Sequence, residues 1–154
     1  MTVTRTAIDI AAPAAVVYRL GSETIGWPGI LPHYRYVRIL EERGAVLVVA
    51  MSAWRDIFPV AWVAEQTNDA VTPRISFRHV RGWTRGMDVD WIFEPIRGGT
   101  RVTIEHRLTF RFPVAAAWLG KHLVSGYFID GIASKTLARI KALAERTAAA
   151  EPAT

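Results

Sequence analysis

The chain has 154 residues and no cysteine, so disulfides, thiol nucleophiles and zinc–thiolate sites are excluded and packing must hold the fold. One domain of this length can bury roughly two-thirds of its unfolded surface without covalent staples. A formal charge of +5 and a pI near 10.1 admit a nucleic-acid partner, but the arginines are strewn through every element, alternate with apolar residues and accompany no nucleic-acid motif, so none is expected.

The opening Met-Thr-Val-Thr-Arg-Thr runs straight into a strand pattern and lacks the apolar core and cleavage site of an export signal, so the expected residence is the cytoplasm. Thr4 to Ala11 alternates as a strand, with Thr6, Ile8 and Ile10 on one face and Asp9 opposite. Pro13 opens a helix whose stripe is Val16, Val17 and Leu20, ending at Gly21. The segment from Trp27 to Leu40, Trp-Pro-Gly-Ile-Leu-Pro-His-Tyr-Arg-Tyr-Val-Arg-Ile-Leu, is a bent connector, because two prolines and a glycine prevent a continuous helix. It holds Trp27, Tyr34 and Tyr36 on stiff backbone, either as the cap of an apolar ligand cavity or as plugs of the core.

Strands follow at Tyr34 to Glu42, Val46 to Arg55, Phe58 to Thr67, Arg74 to Val80, Arg85 to Pro95 and Thr100 to Phe112, with Gly98-Gly99 as the tightest hairpin. From Pro113 the period becomes helical, and Ala133, Leu137, Ile140 and Ala144 mark a long terminal helix, with Gly126 and Gly131 as candidate kinks. One domain is expected over 1–147, followed by a disordered tail over 148–154. This order predicts an α+β architecture in which a curved antiparallel sheet wraps the terminal helix.

Alternation assigns the inner face: Met87, Val89, Trp91 and Phe93, with Asp88, Asp90 and Glu94 left to water; Val102, Ile104, His106, Leu108, Phe110 and Phe112; Ile75, Phe77 and His79; and Phe58, Val60, Trp62, Ala64 and Gln66. Gln66, His79 and His106 therefore sit on otherwise apolar faces, which requires either satisfied core hydrogen bonds or a wet cavity. Asp130, near Tyr127 on the terminal helix, faces either solvent or the sheet. In the second case it would hydrogen-bond His106, raise its pKa and make an acid–base pair. Trp83 and Arg85 lie in a turn that either rims the cavity or forms a plain exposed hairpin.

No nucleophile elbow, phosphate loop, dinucleotide fingerprint or zinc-protease helix is present, and His33, His79, His106 and His122 are too dispersed to suggest a metal, so no cofactor or metal is expected. The apolar window Phe112 to Ala133 is interrupted by Lys121, His122 and Asp130, which argues against a membrane span and for transient membrane contact at most.

The element order, the opening Ile-Asp-Ile-Ala-Ala-Pro-Ala-Ala-Val-Val-Tyr, the Trp-Pro-Gly-Ile-Leu-Pro-His-Tyr connector and the Gly-Gly-Thr-Arg-Val-Thr-Ile-Glu-His strand together resemble the polyketide cyclase/dehydrase branch of the START-like, Bet v 1-like superfamily. The resemblance implies a helix-grip fold, with a seven-stranded antiparallel sheet curled around the terminal helix and a deep cavity between. In aromatase/cyclases of that branch the cavity folds a poly-β-ketone chain and promotes aldol cyclisation and dehydration. By position, Trp27 and Tyr34 match the aromatic pair at the cap, Trp62 and Trp91 match inward tryptophans, and Met87 matches an apolar liner. Gln66 stands where those cyclases carry a pocket arginine, and His106 and Asp130 stand where they carry glutamine and asparagine. Arg55 is the candidate substitute cation.

The expected function is binding of a hydrophobic, aromatic or polyketide-like molecule, with cyclisation or dehydration through Tyr34, His106 and Asp130. Trp27, Arg55, Trp62, Gln66, Phe77, His79, Met87, Trp91 and Tyr127 would contact the substrate, and an acyl carrier protein is a candidate delivery partner. The alternative is a non-catalytic carrier of lipid or isoprenoid quinone, as in the ubiquinone-binding branch. Oligomeric state is not specified by the sequence.

Overall fold

Alternating apolar residues make the strands, and glycines and short polar turns stop them. In the computed structural model, which describes residues 2–82, 84–108 and 130–150, the elements are β1 (Thr2–Ile10), α1 (Ala14–Ser22), a 3-10 turn (Thr24–Gly26), α2 (Trp27–Ile30), β2 (Tyr34–Arg43), β3 (Val46–Arg55), β4 (Phe58–Asp69), β5 (Arg74–Gly82), β6 (Met87–Ile96), β7 (Gly99–Leu108) and a long helix α3 (Asp130–Ala150). The strands form one seven-stranded sheet in the order β1-β7-β6-β5-β4-β3-β2, every neighbouring pair antiparallel. With α3 packed on its inner face, this is the helix-grip architecture.

The hairpin from β6 to β7 turns at Gly98, whose φ of +85° lies in the region glycine enters without strain. Its neighbour Gly99 leaves no room for a side chain, since a Cβ there would run into the Ile10 carbonyl of β1. α3 is anchored along its length. Lys141 Nζ donates to the Asp9 carbonyl (2.8 Å), Glu145 accepts from the Ala11 amide (3.1 Å), and Arg139 Nε donates to the Ile30 carbonyl (3.0 Å). Its buried stripe is Ala133, Thr136, Leu137, Ile140 and Ala144, so one threonine joins the four apolar positions expected. The helix continues through Ala150, past its expected end at Thr147, because the alanines after Thr147 favour continuation.

Two assignments are corrected, one of facing and one of exposure. Phe58 is half exposed (50%) rather than inward: it pairs with Arg55 on the last rung of β3–β4, where the ladder projects beyond the core. Asp90 points outward as expected but is only 3% exposed. Arg74 (2.9 Å) and Arg107 (2.6 Å) cover its carboxylate from the flanking strands, and Ser76 donates to it at 2.6 Å. Burial pushes the Asp90 pKa up, but the hydrogen bonds from Arg74, Ser76 and Arg107 outweigh it and leave a net depression.

Other arginines also meet carboxylates across strands, Arg101 with Asp9 and Arg5 with Glu105 at 2.8 Å, Arg43 with Glu65 at 3.0 Å. Among the described residues no helix is long and apolar enough to cross a membrane. The expectations placed on Trp83, Phe110, Phe112, Lys121, His122, Gly126 and Tyr127 lie outside the described residues.

Candidate functional site

The connector builds one end of the site. Pro28 sits in the first turn of α2, where its missing amide costs nothing, and the Leu31 amide closes that turn on the Trp27 carbonyl (2.6 Å). The chain then bends at Leu31, whose carbonyl accepts from the Tyr34 amide (3.0 Å), and the His33 carbonyl accepts from the Trp54 amide (2.7 Å), which moors the connector to β3. A bulge between Tyr34 and Tyr36 resets the alternation, so that Tyr34 and Val37 face inward. Outside, Arg38 lies over the Tyr36 ring (4.4 Å) and Arg35 over Trp54 (5.0 Å).

Inside, Trp27 is wedged against Tyr34, Trp91 and Phe77 at centroid distances of 5.0, 5.6 and 6.1 Å, and its indole N–H is satisfied by the Leu20 carbonyl (3.0 Å). Between these rings and α3 lies a cavity of about 80 Å³, measured to water centres, against roughly 10–15 Å³ for one water, so the interior is hollow. The aromatic wall is Trp27, Tyr34, Trp62, Phe77 and Trp91, with Met51, Val60, Met87, Val89 and Ile104 between the rings. Ile132, Ala133 and Thr136 of α3 close the opposite side, and the polar lining is His79, Thr84, His106 and Thr136 besides the Tyr34 hydroxyl.

His79 stacks on Trp62 (5.7 Å, 16° between planes), and its Nδ1 pairs with Thr84 Oγ1 at 2.6 Å. Burial, and then the nearby His106, lower its pKa to about 3. Burial alone lowers His106 to about 4. Both rings are therefore neutral at physiological pH. His106 is 8% exposed, and its Nδ1 has no hydrogen-bond partner among the described residues. Thr4, its register partner on β1, also buries a hydroxyl without a partner among the described residues. At the other end, Thr136 Oγ1 donates to the Ile132 carbonyl (2.8 Å) and lies 2.8 Å from His33 Nε2. Burial pushes the Tyr34 hydroxyl well above the usual phenol range, against a smaller lowering influence of Thr136. Burial, with the Lys135 charge second, lowers His33 to about 4 against an opposing bond to the Ile132 backbone.

Seven of the expected site residues, Trp27, Tyr34, Trp62, Phe77, His79, Met87 and Trp91, line this cavity with His106. Three do not. Gln66 is fully buried but turned away, accepting from Thr24 Oγ1 (2.7 Å) and donating to the Ser22 carbonyl and Asn68 Oδ1 (both 2.9 Å). Arg55 packs on Gly131 at the start of α3 and pairs with Asp56 (3.0 Å). Asp130, the first described residue of α3, is not brought to His106, whose lowered pKa carries no carboxylate contribution. The acid–base pair expected between them is absent. No arginine or lysine lines the cavity among the described residues, and no group of three His, Asp or Glu among them could hold a metal.

Sequence reasoning missed His33, Thr84 and Thr136. The signal for Thr136 was present, a hydroxyl one residue before Leu137 in an apolar helical stripe. His33 and Thr84 depend on turn geometry that spacing does not carry.

A family model described as polyketide cyclase/dehydrase and lipid transport matches residues 10–129. Among solved structures, the Zhui aromatase/cyclase from Streptomyces sp. R1128 superposes with a TM-score of 0.83 at 19% identity, covering 98% of this chain and 99% of that one. A START superfamily protein from Mycobacterium smegmatis gives 0.67 at 12% identity over 92% and 98%. The di-domain ARO/CYC BexL, from the BE-7585A biosynthetic pathway, gives 0.70 at 28% identity, covering 92% of this chain and 46% of that one, so this chain spans about half its length.

Proposed function

The chain belongs to the polyketide cyclase/dehydrase and lipid transport family, and from that membership we propose that it binds an uncharged aromatic or polyketide-like molecule and promotes its cyclisation and dehydration, with His106 as the proton acceptor and Tyr34 holding a ligand oxygen. The observation that carries this reading is the Nδ1 of a buried, neutral His106, which has no partner among the described residues, in an aromatic-walled cavity. A buried polar atom without a partner costs about 1–3 kcal/mol, which a ligand hydrogen bond would recover.

A neutral imidazole can take a proton from the methylene between two ketone carbonyls. The resulting enolate attacks a further carbonyl of the same chain and the imidazolium protonates the alkoxide so formed; the regenerated imidazole then takes the remaining proton of the former methylene and returns it to the hydroxyl, which leaves as water as the C=C bond forms. Charge then develops in a cavity whose described lining holds no cation, so stabilisation falls to hydrogen bonds rather than to an ion pair. Carriage of a lipid or isoprenoid quinone, also within the family's description, would leave the His106 nitrogen against hydrocarbon, and is the less favoured reading.

The test is His106→Gln, assayed with a synthetic poly-β-ketone thioester. Affinity should change less than about threefold while turnover falls roughly 100-fold or more. Turnover surviving the substitution sinks His106 as the base, and a co-purified isoprenoid or acyl lipid seen by native mass spectrometry would favour the carrier.

A further inference from the structure

The β3–β4 hairpin carries apolar side chains into solvent. Its strands are joined by the turn Asp56-Ile57, with Asp56 at a φ of +56°. Ile57 is 80% exposed at the tip, Phe58 is half exposed beside it, and Trp54 is 39% exposed on the outer face of the sheet below. From Trp54 a row of rings and guanidiniums crosses to β2. Arg35 lies over Trp54 at 5.0 Å and 5.9 Å from the Tyr36 ring, and Arg38 lies over Tyr36 at 4.4 Å. Arg35 also donates to Ser52 Oγ (3.2 Å). Neither Arg35 nor Arg38 meets a carboxylate among the described residues, unlike the arginines of the cross-strand ion pairs. The acid in the turn, Asp56, is matched by Arg55 (3.0 Å) and Lys135 (4.0 Å). The surroundings of the apolar tip are therefore cationic.

We propose that the β3–β4 hairpin docks the protein on an anionic lipid bilayer, with Ile57 and Phe58 entering the interface and Arg35 and Arg38 meeting lipid phosphates. An apolar tip behind which aromatic rings and cations are ranked matches the order of a bilayer surface, hydrocarbon first and then headgroups, where aromatic rings settle and anionic lipids attract arginine. A tip of one turn offers much less apolar area than the ~800 Å² a side that a stable protein interface buries, whereas a bilayer accepts single projecting side chains. Arg55, at the base of the turn, packs on Gly131, next to the Ile132 that closes the cavity. Docking thus sets the α3 wall of the cavity beside the lipid, from which an apolar molecule can be drawn or into which one can be released. The docking surface lies outside the cavity lining and does not depend on the proposed chemistry.

The experiment is co-sedimentation of the full chain with vesicles of phosphatidylcholine alone or with roughly one-third phosphatidylglycerol. Wild type should partition to the anionic vesicles about tenfold or more over the neutral ones, and that preference should shrink severalfold as salt rises from about 0.1 to about 0.5 M. Ile57→Ser should weaken binding about tenfold, the scale of one apolar side chain returned to water. Arg35→Gln combined with Arg38→Gln should cost a further tenfold or so on anionic vesicles and little on neutral ones. Val71→Ser is the matched comparison: Val71 is 95% exposed in the turn at the opposite end of β4, and its loss should change binding by less than about twofold. All these side chains face solvent, so urea unfolding should be unaltered within about 0.5 kcal/mol.

Absence of any preference for anionic vesicles in the wild type overturns the inference and leaves an acidic protein as the better occupant of the same surface. Equal losses in Ile57→Ser and Val71→Ser overturn it as well. So does binding indifferent to the paired arginine substitutions, because the contact then lies elsewhere on the chain.

Discussion

The side chain of Gln66 ties the end of α1 to β4, because its amide supplies a donor to the Ser22 carbonyl and an acceptor to the Thr24 hydroxyl, two groups that α1 leaves behind as the chain turns into the connector. The glutamine that stands in place of a pocket arginine thus holds the backbone beneath the aromatic cap and takes no part in the cavity lining. Gln66→Leu keeps the volume but strands those groups in the interior, which should cost about 2–3 kcal/mol in urea unfolding. Affinity for the poly-β-ketone thioester should stay within about twofold; a large affinity loss at unchanged stability would return Gln66 to the ligand's contacts. Period-2 alternation was enough to place Gln66, His79 and His106 inward. It could not say which of them would find partners, since Thr24 lies 42 residues from Gln66 in sequence and only the folded register brings them together. Asp90 fails the same way. Its position between apolar neighbours read correctly as outward, but its burial comes from arginines on β5 and β7 that no local pattern of β6 announces.

At the scale of elements, the strands and the terminal helix were legible because their apolar periods are strong and their turns chemically marked; β3 falls on the expected Val46 to Arg55 without adjustment. The connector was legible as bent but not in its consequences. The bulge at Tyr34/Tyr36, which decides which tyrosine enters the cavity, has no signature beyond aromatic crowding. The β6–β7 hairpin shows how closely sequence can fix geometry. Its second glycine lies against the Ile10 carbonyl, where β1 closes on β7. Gly99→Ala would collide with backbone rather than with a flexible side chain, so neither partner can yield without separating the strands. A loss on the order of 3 kcal/mol or more is expected in thermal or urea unfolding. Gly98→Ala, where only the positive φ is strained, should cost nearer 1 kcal/mol. Equal losses at the two positions would show that turn conformation, and not the approach of β1, makes the pair of glycines necessary.

For the whole molecule, the hollow interior makes stability depend on pH through groups that are buried for the cavity's sake. His79 and His106 have folded-state pKa values of about 3 and about 4, and His33, half buried at the connector, sits at about 4; in the unfolded chain all three titrate near 6.5. Between those limits the unfolded state binds protons that the folded state refuses, so unfolding becomes easier as pH falls. Stability from this source is complete above about pH 6.5 and drains away toward pH 4. The depressed Asp90 carboxylate adds a second loss in the same direction, since its contribution is present above the ordinary carboxylate pKa near 4 and disappears as pH drops through its lower folded value. Each pKa unit corresponds to about 1.4 kcal/mol. A fall in unfolding free energy of roughly 2 kcal/mol or more between pH 7 and pH 5 is therefore expected in urea titrations at fixed ionic strength, before any carboxylate protonates. His79→Gln keeps a hydrogen-bonding side chain beside Thr84 but cannot titrate, so it should lower that slope by about a third, His33 and His106 supplying the rest. A stability curve that is level from pH 7 to pH 5 would mean that these imidazoles take up protons readily in the folded state. That requires solvent at His79 and His106, and a cavity already open to water would not reward a ligand for satisfying the His106 nitrogen.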